Sequence, residues 1–132
     1  LGASLVSLDE LLERSDIVTL HVNLSDETRH LINSEALGKM GPSSYLINVS
    51  RGQVVDEAAL VAALRNGEIA GAGIDVYEQE PPAADNQLWE LDNVIVTPHR
   101  AGFSRESVYG SSMVVKDIVR VLKGEEPRFP VN

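Results

Sequence analysis

Two periodicities alternate along the chain. Residues 16–22, 45–49, 69–76 and 94–97 are short runs of Val, Ile, Leu and small side chains, and they read as strands. The first, Asp16-Ile17-Val18-Thr19-Leu20-His21-Val22, is nearly continuous in apolar character, as expected of a strand covered on both faces. Segments with helical spacing lie between these runs. Ser7 followed by Glu10 is a capping-box pattern that opens a short helix to Glu13 or Arg14, with Leu8, Leu11 and Leu12 inward. Asn33 offers an N-cap for a helix from Ser34 to about Met40, which Gly41-Pro42 stops. Asp56 caps residues 57–65, with Leu60, Val61 and Leu64 on one face, and Asn66-Gly67 ends that helix. Ser104 caps a long helix ending near Lys123-Gly124 and buried through Val108, Val115, Ile118, Val119 and Leu122. Residues 23–30 form a polar loop. Residues 78–92 form an acidic, proline-bearing loop containing Trp89 and one helical turn, and residues 127–132 form an extended arm.

Strand and helix alternate about four times, and the strands are too far apart for hairpins. Parallel strands joined by right-handed crossovers are the common solution to that pattern. The fold class is α/β, with a parallel sheet that is part of a doubly wound domain. At 132 residues the chain has the length of one domain with a real core. It opens on Leu1-Gly2-Ala3, already in the middle of the alternating pattern, and so reads as incomplete at its front.

Composition narrows the partners more than the fold. The chain is 43% hydrophobic and 23% charged, ordinary for a globular protein. Eleven basic against 20 acidic residues give a formal charge of -9, which argues against nucleic acid or an anionic membrane as the main partner. There is no cysteine, hence no disulfide, thiol nucleophile or cysteine-based metal site. Neither a membrane-length apolar run nor a signal-peptide layout is present, so the expected location is the cytoplasm.

The candidate chemistry sits where strands end, the edge at which parallel sheets hold ligands. Arg51 follows the second strand and presents a planar fork of donors suited to a carboxylate or phosphate; a surface arginine in a loop is an equal reading. Gly52 behind it allows a sharp turn and leaves room for a ligand. Asp75 closes an apolar strand, either capping a turn or accepting a hydrogen bond from a ligand amide. Glu78 and Glu80 lie in the acidic loop, where a solvated face is the ordinary explanation unless a specific partner claims one of them. His99 leaves the fourth strand; a carboxylate alongside would fix its tautomer and make it a usable acid or base. His21 reads as a core histidine and His30 as an exposed one. Three scattered histidines without an i, i+4 pair give no metal site. No Gly-x-Gly-x-x-Gly, P-loop or Gly-x-Ser-x-Gly pattern occurs.

Three stretches in order, residues 46–57 (LINVSRGQVVDE), 70–82 (AGAGIDVYEQEPP) and 97–102 (TPHRAG), closely resemble the NAD-binding domain of the D-isomer-specific 2-hydroxyacid dehydrogenases. The likeness runs over nearly all of the chain. It implies a Rossmann-like fragment, residues 1–132, carrying the second half of a dinucleotide-binding domain, with a C-terminal helix and tail from about residue 104. By resemblance, Arg51 binds the substrate carboxylate, His99 is the acid/base, and Glu80 pairs with that histidine. Asp75 matches the residue that holds the nicotinamide carboxamide. Val22, Asn23, Val49, Ser50, Arg51, His99, Ala101 and Gly102 match further dinucleotide contacts. Asn23 stands where the family often has proline. The implied cofactor is NAD, with NADP open, and the implied substrate is a small 2-hydroxy or 2-keto acid handled by a homodimer. Formate dehydrogenases of the superfamily carry glutamine at the place of Glu80, and a phosphite dehydrogenase carries a similar triad. The alternative from another class is a non-enzymatic NAD(H)-sensing protein, like the corepressors that keep this fold and triad. The glycine-rich loop and most of the substrate domain lie upstream of Leu1 in such enzymes, so weak cofactor binding and no turnover are expected of this chain alone.

Overall fold

The computed structural model describes residues 2–130, apart from the side chains of Ser111 and Ser112. The chain divides into two compact units, residues 1–99 and residues 100–132.

The first unit is built on four parallel strands in the order β1-β2-β3-β4: β1 (Ile17–Leu20), β2 (Tyr45–Asn48), β3 (Gly71–Ile74) and β4 (Val94–Val96). Leu20 lies beside Asn48 and Asn48 beside Ile74, so the strands reach their carboxyl ends almost level with one another. Three helices connect or precede them: α1 (Leu8–Arg14), α2 (Ser34–Lys39) and α3 (Glu57–Asn66). Their starts follow from local chemistry. Ser7 Oγ, Asn33 Oδ1 and Asp56 Oδ1 each accept a hydrogen bond from the backbone N–H three residues on, at 3.2, 3.0 and 3.0 Å. Gly67 ends α3 in the left-handed conformation, φ 68°, where its N–H closes on the last turn.

The three helices pack α1 on α2 and α2 on α3. Crossovers of one hand that all step in the same direction across a sheet deliver their helices to a single face. Val18, Leu20, Leu46, Ala72 and Ile74 are buried on that face together with Leu12, Leu37, Leu60 and Leu64. The expectation that the first strand is covered on both faces is therefore corrected. Burial alternates along β1, and Ile17 and Ile95 are 63% and 75% exposed on the opposite side. In α1, which packs against α2, only Leu12 is fully buried, while Leu8 and Leu11 flank it partly exposed. Glycines keep the bare face flat: Gly71 accommodates the Tyr45 ring and Gly73 the Ile47 side chain.

In the second unit the single long helix expected after Ser104 is two helices, α4 (Arg105–Ser112) and α5 (Val114–Leu122). The break follows Gly110-Ser111-Ser112, a run of weak helix formers. Ser104 does cap α4, and reciprocally: Ser107 N–H donates to Ser104 Oγ at 3.0 Å and Ser104 N–H to Ser107 Oγ at 2.9 Å. Val108, Val115, Ile118, Val119 and Leu122 are all exposed rather than buried. A helix pair of this size has no second layer of its own to enclose them. The tail is held rather than extended, since the N–H groups of Arg128 and Phe129 both donate to Asp117 of α5. Val131 and Asn132, the end of the expected arm, lie outside the described residues. Among the described residues no helix is long and apolar enough to cross a membrane.

Candidate active site

The carboxyl ends of β2 and β3 deliver two stretches that pack backbone to backbone. Asn48, the last residue of β2, is buried. Its Oδ1 accepts from both the N–H and the hydroxyl of Ser50, at 3.1 and 3.0 Å, and its Nδ2 donates to the Arg51 carbonyl at 3.0 Å. A buried amide must find such partners, and here they bend the chain into the turn that carries Arg51. The Gly52–Val54 stretch then forms one 3-10 turn. A Cβ on Gly52 would lie 1.8 Å from the Tyr77 carbonyl oxygen. The space at Gly52 is thus filled by the exit of β3, which corrects the expectation that it leaves room for a ligand.

The exit of β3 carries the acidic groups. Asp75 is buried, and its carboxylate accepts a short hydrogen bond from Thr97 Oγ1. Glu80 Oε1 accepts from the Tyr77 N–H at 3.1 Å, and its Oε2 lies 2.8 Å from His99 Nδ1. An ionised carboxylate has only acceptors, so Nδ1 carries the proton of that bond and Nε2 is the ring atom whose protonation can change. The hydrogen bond from His99 holds the Glu80 carboxyl below its ordinary range. The Tyr77 N–H and the charges of His99 and Arg51 act the same way, against an opposing effect of burial. Glu80 is therefore an anion throughout the neutral range. The stabilisation from this pairing is present above the ordinary glutamate value and is lost as pH falls through the lowered one. The Arg51 guanidinium is exposed, with Nη1 donating to the Ser50 carbonyl at 2.7 Å.

Arg51, Asp75, Glu80 and His99 thus all belong to the first unit and gather at one sheet edge. His99 has φ 52°, an unusual conformation for a side chain with a Cβ. Val22 and Asn23 follow β1 at the same edge, both exposed, while Val49 is half-buried and Ser50 is buried with its hydroxyl given to Asn48. Ala101 and Gly102 lie in the second unit, in the turn before α4.

The other histidines differ from their expected settings. His21 is exposed, one residue past the end of β1, with Nε2 3.0 Å from Thr19 Oγ1. His30 is half-buried, also at positive φ (51°), and Nε2 lies 2.5 Å from Glu78 Oε1. Glu78 is therefore not simply solvated. It is a fixed partner of His30, and Gln53 Nε2 donates to its carbonyl at 2.8 Å. Asn48, Tyr77, Thr97 and the His30–Glu78 pair escaped the sequence reading. Asn48 alone had a visible signal, a polar residue ending an apolar run. Among the described residues no three His, Asp or Glu side chains gather closely enough to hold a metal ion.

Residues 1–101 match the family described as D-isomer specific 2-hydroxyacid dehydrogenase, NAD binding domain. The chain belongs to that family. The chain is 50% identical over 126 residues to a glyoxylate reductase of Thermofilum pendens, covering 95% of this chain and 37% of the reductase. The crystal structure of a D-lactate dehydrogenase with NAD+ from Lactobacillus jensenii matches at a TM-score of 0.89 and 34% identity, covering 96% of this chain and 42% of that one. A D-isomer specific 2-hydroxyacid dehydrogenase from Xanthobacter autotrophicus, in complex with NADPH, matches at 0.80 and 43%, covering 95% and 51%. The chain thus spans less than half the length of the curated relatives it matches first, 37% and 40%. The four-stranded, all-parallel sheet is a Rossmann-like arrangement, and its carboxyl edge fits a dinucleotide chemically. Buried Asp75 follows β3 beside the end of β2, where its N–H donates to the Asn48 carbonyl at 3.0 Å.

Proposed function

We propose that the protein carrying this chain is an NAD(P)-dependent oxidoreductase that interconverts a D-2-hydroxy acid and a 2-keto acid. The observation that supports this most is the Glu80–His99 contact at 2.8 Å, at the same sheet edge as an exposed arginine. In this reading Arg51 binds the substrate carboxylate through its fork of donors and draws electron density from the adjacent carbonyl. His99 Nε2 gives a proton to the carbonyl oxygen during reduction and takes it back during oxidation. Glu80 fixes the tautomer that leaves Nε2 facing this task and balances the imidazolium charge. Asp75, with the strand-end turns at Val22-Asn23 and Val49-Ser50, holds the dinucleotide. That cofactor, when bound, supplies or accepts the hydride. The chain itself forms the second half of the dinucleotide-binding domain, and a cytoplasmic homodimer is the setting this reading assumes.

Arg51 gives the most selective test. In the full-length protein, Arg51→Gln is expected to lower kcat/KM for a 2-keto acid by about a hundredfold or more, with much of the loss in KM. NADH affinity, read by fluorescence titration, should change little. Arg51→Lys should recover only a small part, because it keeps the charge and loses the fork. Unchanged kcat/KM in Arg51→Gln would remove the arginine from the substrate site.

A further inference from the structure

Tyr77 has no place in the roles assigned so far, yet it touches both sides of the Glu80–His99 pair. It is buried (4% exposed), and its ring stands edge-on to Trp89 at 5.5 Å between centroids. Its backbone N–H donates to Glu80 Oε1 at 3.1 Å, which leaves Oε2 for His99. Its hydroxyl donates to the Thr97 carbonyl at 2.9 Å, two residues before the histidine. That carbonyl also accepts from the His99 N–H at 3.1 Å, and the same N–H reaches the Asp75 carbonyl at 2.8 Å. Burial and the charges of Asp75, Glu57 and Glu80 push the Tyr77 phenol up, so its hydroxyl stays a donor at any physiological pH.

These bonds bear on a strained residue. The left-handed backbone of His99 (φ 52°) is unfavourable for a side chain with a Cβ. Such a conformation persists only where its surroundings over-determine it. Here the stretch from Asp75 to Glu80 does so, gripping the backbone at Thr97 and His99 and the imidazole at Nδ1. Tyr77 is the one residue of that stretch that binds Glu80 through its backbone and the histidine segment through its side chain.

We propose that Tyr77 is a positioning residue for the acid/base pair: its N–H aims the Glu80 carboxylate, and its hydroxyl anchors residues 97–99 so that the His99 ring meets it. The inference rests on the acid/base reading of Glu80 and His99. It assigns the phenol hydroxyl a part in catalysis that acts through His99, without contact with substrate. Small misplacements of a proton donor are costly in rate while leaving binding almost untouched.

The test is Tyr77→Phe in the full-length protein, a variant that keeps the ring, the Trp89 contact and the backbone N–H, and removes one hydroxyl. Expected is a fall in kcat for 2-keto acid reduction of about tenfold, with KM and NADH affinity within about twofold and a displaced limb in the pH–rate profile. The second readout needs no substrate. The hydrogen-bonded Nδ1 proton of His99, seen by NMR of 15N-histidine-labelled protein, should weaken or broaden as the ring loses its single orientation. A variant with lower Tm but wild-type kcat, pH profile and Nδ1 signal would overturn the proposal and leave Tyr77 as packing. His99→Ala and Glu80→Gln run beside it. If they collapse turnover while Tyr77→Phe matches wild type in both readouts, the positioning role fails and the acid/base reading stands. If they leave turnover intact, the acid/base reading fails, and the catalytic part assigned to Tyr77 falls with it.

Discussion

Gly52→Ala is expected to lower Tm by roughly 10 °C or to prevent folding. The added Cβ would sit 1.8 Å from the Tyr77 carbonyl oxygen, 1.9 Å from its carbon and 2.5 Å from the Glu78 nitrogen. All three are backbone atoms, so no rotamer change relieves the clash, and overpacking of this kind costs about 3 kcal/mol or more. Relief requires the exits of β2 and β3 to part, which also draws Arg51 away from Glu80 and His99. In the full-length protein a folded Gly52→Ala variant should therefore lose turnover along with stability. Thermal unfolding followed by circular dichroism checks the first effect. A Tm within about 2 °C of wild type would show that the two exits do not pack as described.

In the full-length protein, His99→Ala is expected to reduce kcat by about a hundredfold to ten-thousandfold, the range for loss of a general acid. Glu80→Gln should cost less, because the imidazole remains and only its tautomer and charge balance suffer. The informative result is the double variant. Two residues that act as one unit give losses that do not add, so Glu80→Gln in the His99→Ala background should change kcat by less than about twofold. Independent losses that multiply would mean that the 2.8 Å contact is a surface ion pair with no shared function. That alternative is physically reasonable, since both side chains are more than a third exposed, at 50% and 38%. The cycle separates the two.

The parts of this molecule that could be read from sequence are those decided within a few residues. Ser7, Asn33 and Asp56 announce their helices because a cap is a bond across three positions, and Gly67 ends one because it alone takes φ 68° without strain. The four strand runs announce a parallel sheet, and the sheet puts the residues that end them on one edge. What could not be read depends on what lies alongside. Ile118 and Leu122, four residues apart on α5, have helical spacing whether or not anything covers them. Ile17 lies in a continuous apolar run, yet the helices of its own unit reach only the other face of β1. Gly52 has the sequence of a permissive turn, and only the position of Tyr77 shows that it is a contact between backbones. The polarity of their sequence neighbours says little about His21 and His30, whose settings depend on Thr19 and Glu78. Spacing alone does not distinguish Glu78 from Glu80 as the partner of His99, and only the family resemblance does; the geometry gives each its own histidine.

Under the proposed function, this edge belongs to a working dehydrogenase. The most direct measurement is NADH and NADPH oxidation by the full-length protein with glyoxylate, hydroxypyruvate, pyruvate and phosphohydroxypyruvate, followed by determination of the product's configuration. Sustained turnover with at least one of these acids, giving a D-2-hydroxy acid wherever the product is chiral, is the expected result. Tight NADH binding with no oxidation by any of them would contradict it, and would favour a protein that uses this fold and these side chains to sense the dinucleotide.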